Sequence, residues 1–444
     1  MRLFSTVLIS LLSANLFADP LPIDPLWKTD AFRKAMTGSY GIDSRIEPQI
    51  SIDEEEFLDL AAKEMAAGNR EAALKVFTET SVLEKSPTLR FALANLQFEL
   101  DDKEAAVENF KKATKQFPNF RDAHRNLAIA LVQLDEIEEA KGHLIRAIEL
   151  GSREGLTMGL LGYCHSVDEN YQAALQAYRL AQLTMPGERQ WIIGEAQALQ
   201  ALDQSAEAAS LYRSLLKESP GESPLWLNLA NANLQNEQPI SAIAEMEVVR
   251  RLGKLNGPAL LSLGNLYLNE SLVEEAGSAY LASLEGSEPP TLDKLLNSLE
   301  YLSDRQFWGI AGDFAKSIQT VYPDARDKRL PRCLALIEFE TGNPGSALAK
   351  IQSLVESDPL DGQSIILLAQ FHSKRGKREE AEMLLDQAAL LTEHQADALI
   401  AHGKLLVENG DYEKASQKIS RAIQLKPSNT LREYLSAVQN LISE

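Results

Sequence analysis

The chain has 444 residues, with 44 Lys and Arg against 64 Asp and Glu, a net charge of −20, 45% hydrophobic residues and two cysteines. An excess of carboxylates repels phosphates and excludes a basic nucleic-acid binder, and two cysteines exclude a disulfide-built scaffold. Length alone suggests two or three globular domains, but a periodic pattern along the chain overrides that expectation.

Arg2 is followed by an uncharged run from Leu3 to Leu16, and Ala18 is the candidate last residue before cleavage, so residues 1–18 read as a secretory signal peptide. The run is shorter than the roughly 20 residues that span a bilayer, and no Cys follows it, as a lipoprotein signal requires. The expected product is a soluble periplasmic chain from Asp19, with no membrane span after signal cleavage. Residues 19–53 form a leader of different character, with Pro20, Pro22, Pro25 and Pro48, a short helix expected around Leu26 to Met36, and the string Gly38-Ser39-Tyr40-Gly41. Two roles are open for the leader: capping the first repeat through Trp27 and Phe32, or docking a partner.

From residue 54 onward alanines recur at 73, 106, 140, 174, 208, 242, 276, 311, 347, 381 and 415, with gaps of 33 to 36 residues. Twelve positions before each lies a second small residue, including Ala94, Ala128, Gly162, Ala196 and Gly264, with Leu299 as the single exception. Prolines such as Pro118, Pro186, Pro220, Pro359 and Pro427 close the periods. Two amphipathic helices approach closely where side chains are smallest, and proline stops the second. In sequence this pattern resembles the tetratricopeptide-repeat family over about residues 54–429. The resemblance implies an all-α, right-handed superhelical solenoid of about eleven helix-turn-helix repeats.

The expected organisation is repeats 1–7 over 54–290, a divergent repeat 8 over 291–327, repeats 9–11 over 328–429 and a capping helix over 430–444. Repeat 8 stands out through Leu299, Phe307, Trp308 and the charged linker Asp324 to Arg329, where the register slips by one and then two residues. That makes it the candidate for a kink or a boundary, against an ordinary degenerate repeat. Cys164 and Cys333 fall in repeats 4 and 9 and are expected to remain unpaired.

No phosphate-cradling Gly-rich loop, serine elbow or His-Glu-x-x-His pair occurs, so the chain is read as non-enzymatic, with no cofactor and no metal. Six histidines are scattered over four repeats, and His402 beside Gly403 reads as a core residue. On the inner, first-helix surface the register places Asn95, Arg125, Asn126, Tyr163, Gln197, Asn228, Asn231 and Asn265. Gln197, Asn231 and Asn265 repeat at intervals of 34. An amide offers both a donor and an acceptor and can hold the backbone of an extended peptide without demanding its sequence. The set departs from the family's carboxylate clamp, because Arg125 stands alone, with Ile129 where an asparagine is needed and Leu160 in the next repeat. The leader, Phe117-Pro118-Asn119-Phe120 and Leu161-Gly162-Tyr163-Cys164 resemble exported bacterial repeat proteins that accompany TonB–ExbB–ExbD assemblies. That resemblance implies a protein- or peptide-binding scaffold accessory to outer-membrane uptake; a scaffold for envelope or polysaccharide assembly is the alternative.

Overall fold

The computed structural model describes residues 45–443 other than Ser287. The signal segment, Trp27, Phe32 and the helix expected over Leu26 to Met36 lie outside the described residues. Within them are 23 α-helices and no strand. They form eleven antiparallel pairs, from Ile52–Ala66 with Arg70–Thr78 to Gln395–Glu408 with Tyr412–Leu425, followed by a last helix, Asn429–Ser443.

Every pair turns in the same way. One residue in the left-handed conformation ends each first helix: Gly68, Asp101, Asp135, Glu169, Asp203, Glu237, Ser271, Gln306, Gly342, Gly376 and Gly410. The N–H of the following residue closes a six-residue bond back to the helix, as Asn170 N does to His165 O at 2.8 Å and Gln238 N to Asn233 O at 2.8 Å. Free carbonyls at the helix end are thereby satisfied. Seven of these eleven positions carry a side chain that disfavours the left-handed region by about 1–2 kcal/mol, a cost that glycine avoids. Glu237→Gly is therefore expected to stabilise the fold by about 0.5–1 kcal/mol, visible as a higher midpoint in urea with an unchanged slope.

Packing within each pair follows a rule of size. Sixteen residues after the small residue of the first helix stands the side chain that faces it: Phe110 after Ala94, Tyr178 after Gly162, Tyr212 after Ala196, Tyr280 after Gly264, and Ile419 after Gly403. All five of these large side chains are fully buried. A Cβ at Gly162 would lie 2.8 Å from the Tyr178 ring, and one at Gly264 2.8 Å from the Tyr280 ring. In repeat 8 the sizes are exchanged, with Leu299 in the small position and Ala315 sixteen residues later, and both are fully buried. Phe314, one residue away, supplies the aromatic bulk and packs its ring 5.0 Å from that of Tyr280.

The linker after repeat 8 is pinned to that repeat's first helix, Leu292–Asp304, and to the turn before it. Arg329 donates to Asn297 at 2.9 Å, to Asp293 at 2.7 Å and to Asp327 at 2.8 Å, while the Tyr322 hydroxyl donates to the Pro290 carbonyl at 2.8 Å. The linker is thus held against repeat 8. The chain divides into two compact units between Lys254 and Leu255. At the end of the second unit Val438 of the last helix is buried against Leu406, Ala415 and Ile419, the apolar face of repeat 11.

Candidate functional site

The inner surface is built by one position of each first helix, directly after the small residue. In the first compact unit it is filled by Ala62, Asn95, Ile129, Tyr163, Gln197 and Asn231, and in the second by Asn265, Glu300, Leu336, Gln370 and Lys404. The helical repeat of 3.6 places the residue three positions earlier on the same face, which adds Asn126 and Asn228.

The residues expected to form the groove fall into two groups. Gln197 and Asn231 are half-buried, Asn228 is 6% exposed, and none of the three has a side-chain hydrogen bond among the described residues. These amides are available to a ligand. The others are engaged by neighbours. Asn126 is fully buried and donates to the Asn95 oxygen at 2.8 Å. Arg125, 3% exposed, donates to Glu154 at 2.7 Å and to the Asn126 oxygen at 3.1 Å. Tyr163 is half-buried and also makes a further interaction. The Asn265 oxygen accepts from Tyr280 Oη at 2.8 Å and from Ser298 Oγ at 3.0 Å, so it joins its own second helix to the first helix of repeat 8. Asn231 belongs to the first compact unit and Asn265 to the second.

Repeat 3 is distinctive. Ile129 there is fully buried, as is Asn126, and the described end of the leader docks at the start of the same helix. The Ile46 carbonyl accepts from the backbone N–H of Arg121, the first residue of helix Arg121–Gln133, at 3.1 Å. Glu47, only 3% exposed, accepts from Arg121 Nη2 at 3.1 Å. A carbonyl and a carboxylate at a helix N-terminus meet its unsatisfied N–H groups and the positive end of its dipole. The strap from Ile46 to Ser51 therefore ties repeat 3 to the start of repeat 1. Glu300 and Lys404, which are not amides, occupy the same face, and the spacing of 34 to 36 residues locates them as it does Gln370.

Burial favours the neutral form of Cys164, His124 and His143 in the first unit. Burial pushes the Cys164 thiol up to about 12, and in the second unit does the same for Cys333; both are buried and free. His124 donates from Nε2 to the Pro118 carbonyl at 3.1 Å and meets His143 Nδ1 through its own Nδ1 at 2.8 Å. A carbonyl only accepts, so the His124 proton resides on Nε2 and His143 donates to the bare Nδ1. Burial lowers the His124 pKa to about 4, with His143 and Arg146 adding to the effect against the Pro118 bond; burial also lowers that of His143 despite Glu139 nearby. Between pH 6.5 and 4 the unfolded chain then binds a proton that the folded chain refuses, so stability is complete above that window and falls as pH falls through it. The expected loss is on the order of 1–3 kcal/mol, and His124→Gln should flatten the pH dependence of the melting temperature between 6.5 and 4.5.

Tetratricopeptide-repeat models match residues 91–141 and 193–254, and a second such model matches 396–429. Tetratricopeptide repeats thus lie within the array of helix pairs, and such repeats indicate a protein-interaction scaffold. The chain is similar to the peroxisomal targeting signal receptor of Pichia angusta, 24% identical over 181 residues that cover 40% of this chain and 32% of the receptor. The chain thus spans about a third of the length of the curated relative it matches. Among solved structures it is similar to YrrB, described as a TPR protein with an unusual peptide-binding site, at 18% identity over 42% of this chain and 97% of that one, with a TM-score of 0.39. A tetratricopeptide repeat protein from Parabacteroides merdae is similar at 13% identity over 64% of this chain and 98% of that one, with a TM-score of 0.37. No helix among the described residues is long and apolar enough to cross a membrane.

Proposed function

We propose that the chain is a non-catalytic scaffold that holds extended polypeptide segments along the inner face of its first compact unit. The observation that carries this reading is the open run of amides at Gln197, Asn228 and Asn231, which lack side-chain partners among the described residues while the equivalent groups at Asn95, Asn126 and Asn265 have them. Each amide can pair with both the N–H and the C=O of a peptide backbone, which gives binding that tolerates many sequences. The same proposal includes export through residues 1–18 to the periplasm and an accessory role beside TonB–ExbB–ExbD-type components. It is supported by Arg2 with its uncharged run and by the resemblance noted for Phe117 to Phe120 and Leu161 to Cys164.

A photocrosslinking residue placed at Asn231 in the full chain, expressed in a Gram-negative envelope, tests the reading. Peptide adducts are expected at that position and not at Leu183, a residue 77% exposed on the second helix of repeat 4. The change Asn228→Ala should reduce the yield at 231 by about tenfold, in line with one or two lost hydrogen bonds. Equal yields at 231 and 183 would refute the groove.

A further inference from the structure

The second compact unit contains a cleft of about 170 Å³ between helix Gly362–Lys374 of repeat 10 and helix Gln395–Glu408 of repeat 11. Its floor is apolar, made by Ala369, Leu385, Ala401 and Leu405, of which Ala369, Leu385 and Leu405 are buried. At Ala401, two places before the small Gly403, the side chain is a single methyl, where repeat 10 carries Leu367 at the same register.

The rim has the opposite chemistry. Gln370, Ser373 and Lys404 bring donors to the cleft, and Glu408 lies one turn beyond Lys404. None of these four side chains has a hydrogen bond or an ion pair among the described residues. Comparable polar groups on the same helices are paired: Lys374 with Glu340, and Gln363 with Asp397 at 3.1 Å. An apolar floor of this volume under three unpaired donors matches a branched aliphatic side chain flanked by backbone carbonyls. It matches a buried carboxylate poorly: of the two lysines that line the cleft, Lys374 is already paired with Glu340, and the exposed Lys404 offers little to offset the desolvation of a charge over an alanine and leucine floor.

We propose that this cleft binds one aliphatic side chain of an extended peptide, with Gln370, Ser373 and Lys404 donating to the backbone carbonyls on either side. The proposal rests on the reading of the inner face as a peptide groove and assigns to the C-terminal unit a preference that the amides of the first unit do not have.

The test is a titration of the full chain, labelled at alanine and leucine methyl groups, with acetyl-Ala-Ala-Leu-Ala-Ala-amide and with the same peptide carrying Glu in place of Leu. The expected result is saturable movement of the Ala401, Leu385 and Leu405 methyl signals with the leucine peptide, and at least tenfold weaker binding of the glutamate peptide. Ala401→Leu should fill the cleft and weaken the leucine peptide at least tenfold. Should that variant not fold, Lys404→Met on the exposed rim serves instead and should weaken the leucine peptide about threefold. Tighter binding of the glutamate peptide, or equal binding of the leucine peptide to Ala401→Leu, would overturn the assignment. So would still methyl signals at 10 mM peptide. If adducts at Asn231 form while the cleft stays silent, the cleft assignment alone falls; if both fail, the groove reading falls with it.

Discussion

Gly159→Ala is expected to destabilise the first compact unit by about 3 kcal/mol or more, against the usual direction for such a change in a helix. Gly159 lies inside helix Gly155–Val167, where alanine ordinarily gains about 1 kcal/mol over glycine. Here a Cβ would sit 2.3 Å from Trp191 Cε2 and 2.5 Å from two further ring atoms. Trp191 is fully buried and stacked on Tyr178 with ring centroids 6.2 Å apart, and Tyr178 is in turn seated on Gly162 and Gly194. A rigid ring held on both faces cannot yield by rotating, so the whole contact between repeats 4 and 5 must open, and overpacking of this kind typically costs 1–3 kcal/mol, occasionally more. The control is Gly142→Ala in helix Ile137–Glu149, where nothing lies within 4 Å of the added methyl. That variant should gain about 0.5–1 kcal/mol. Thermal melts followed by circular dichroism should therefore separate the two variants in opposite directions from the parent, Gly159→Ala by about 6–12 °C downward. A Gly159→Ala protein as stable as the parent would contradict the packing described for Trp191.

Leu299→Ala carries the second large effect. A reading of repeat 8 as degenerate treats Leu299 as a strained intruder at a crossing that wants a small residue, and then alanine would be neutral or stabilising. The exchange of sizes with Ala315 predicts the reverse: removing a fully buried leucine opposite an alanine leaves a cavity and costs about 2–5 kcal/mol. Ala315→Phe alone should overpack and also destabilise. The double variant restores the arrangement of the other repeats and should be more stable than the sum of the two single losses by about 1–3 kcal/mol, the coupling expected of residues in contact. Chemical denaturation of the four proteins gives that coupling directly, and strict additivity would show that the two positions do not face each other.

Much of the molecule was legible before its structure. Alanines such as Ala140, Ala174 and Ala208 recur at 34 residues because each helix pair must bring two axes together at one point, and the requirement is local. Eleven left-handed turns fall in the same register, slips at repeats 8 and 9 included, so the fold and its repeat count follow from periodicity. The inner-face positions follow from the same arithmetic. Which of them remain free does not. Asn126 is bonded to Asn95 in the preceding repeat, and Asn265 to Tyr280 and Ser298; a hydrogen bond of this kind joins residues 15 to 33 positions apart through side-chain directions that no local pattern encodes. Leu299 is an exception to the small-residue rule in sequence and a packed partner of Ala315 in space, because volume is conserved across a contact and not along a chain. The docking of Glu47 on Arg121 and the cleft beside Ala401 are likewise decided by tertiary packing: one pairs groups 74 residues apart, and the other is a volume that exists only when repeats 10 and 11 stand side by side.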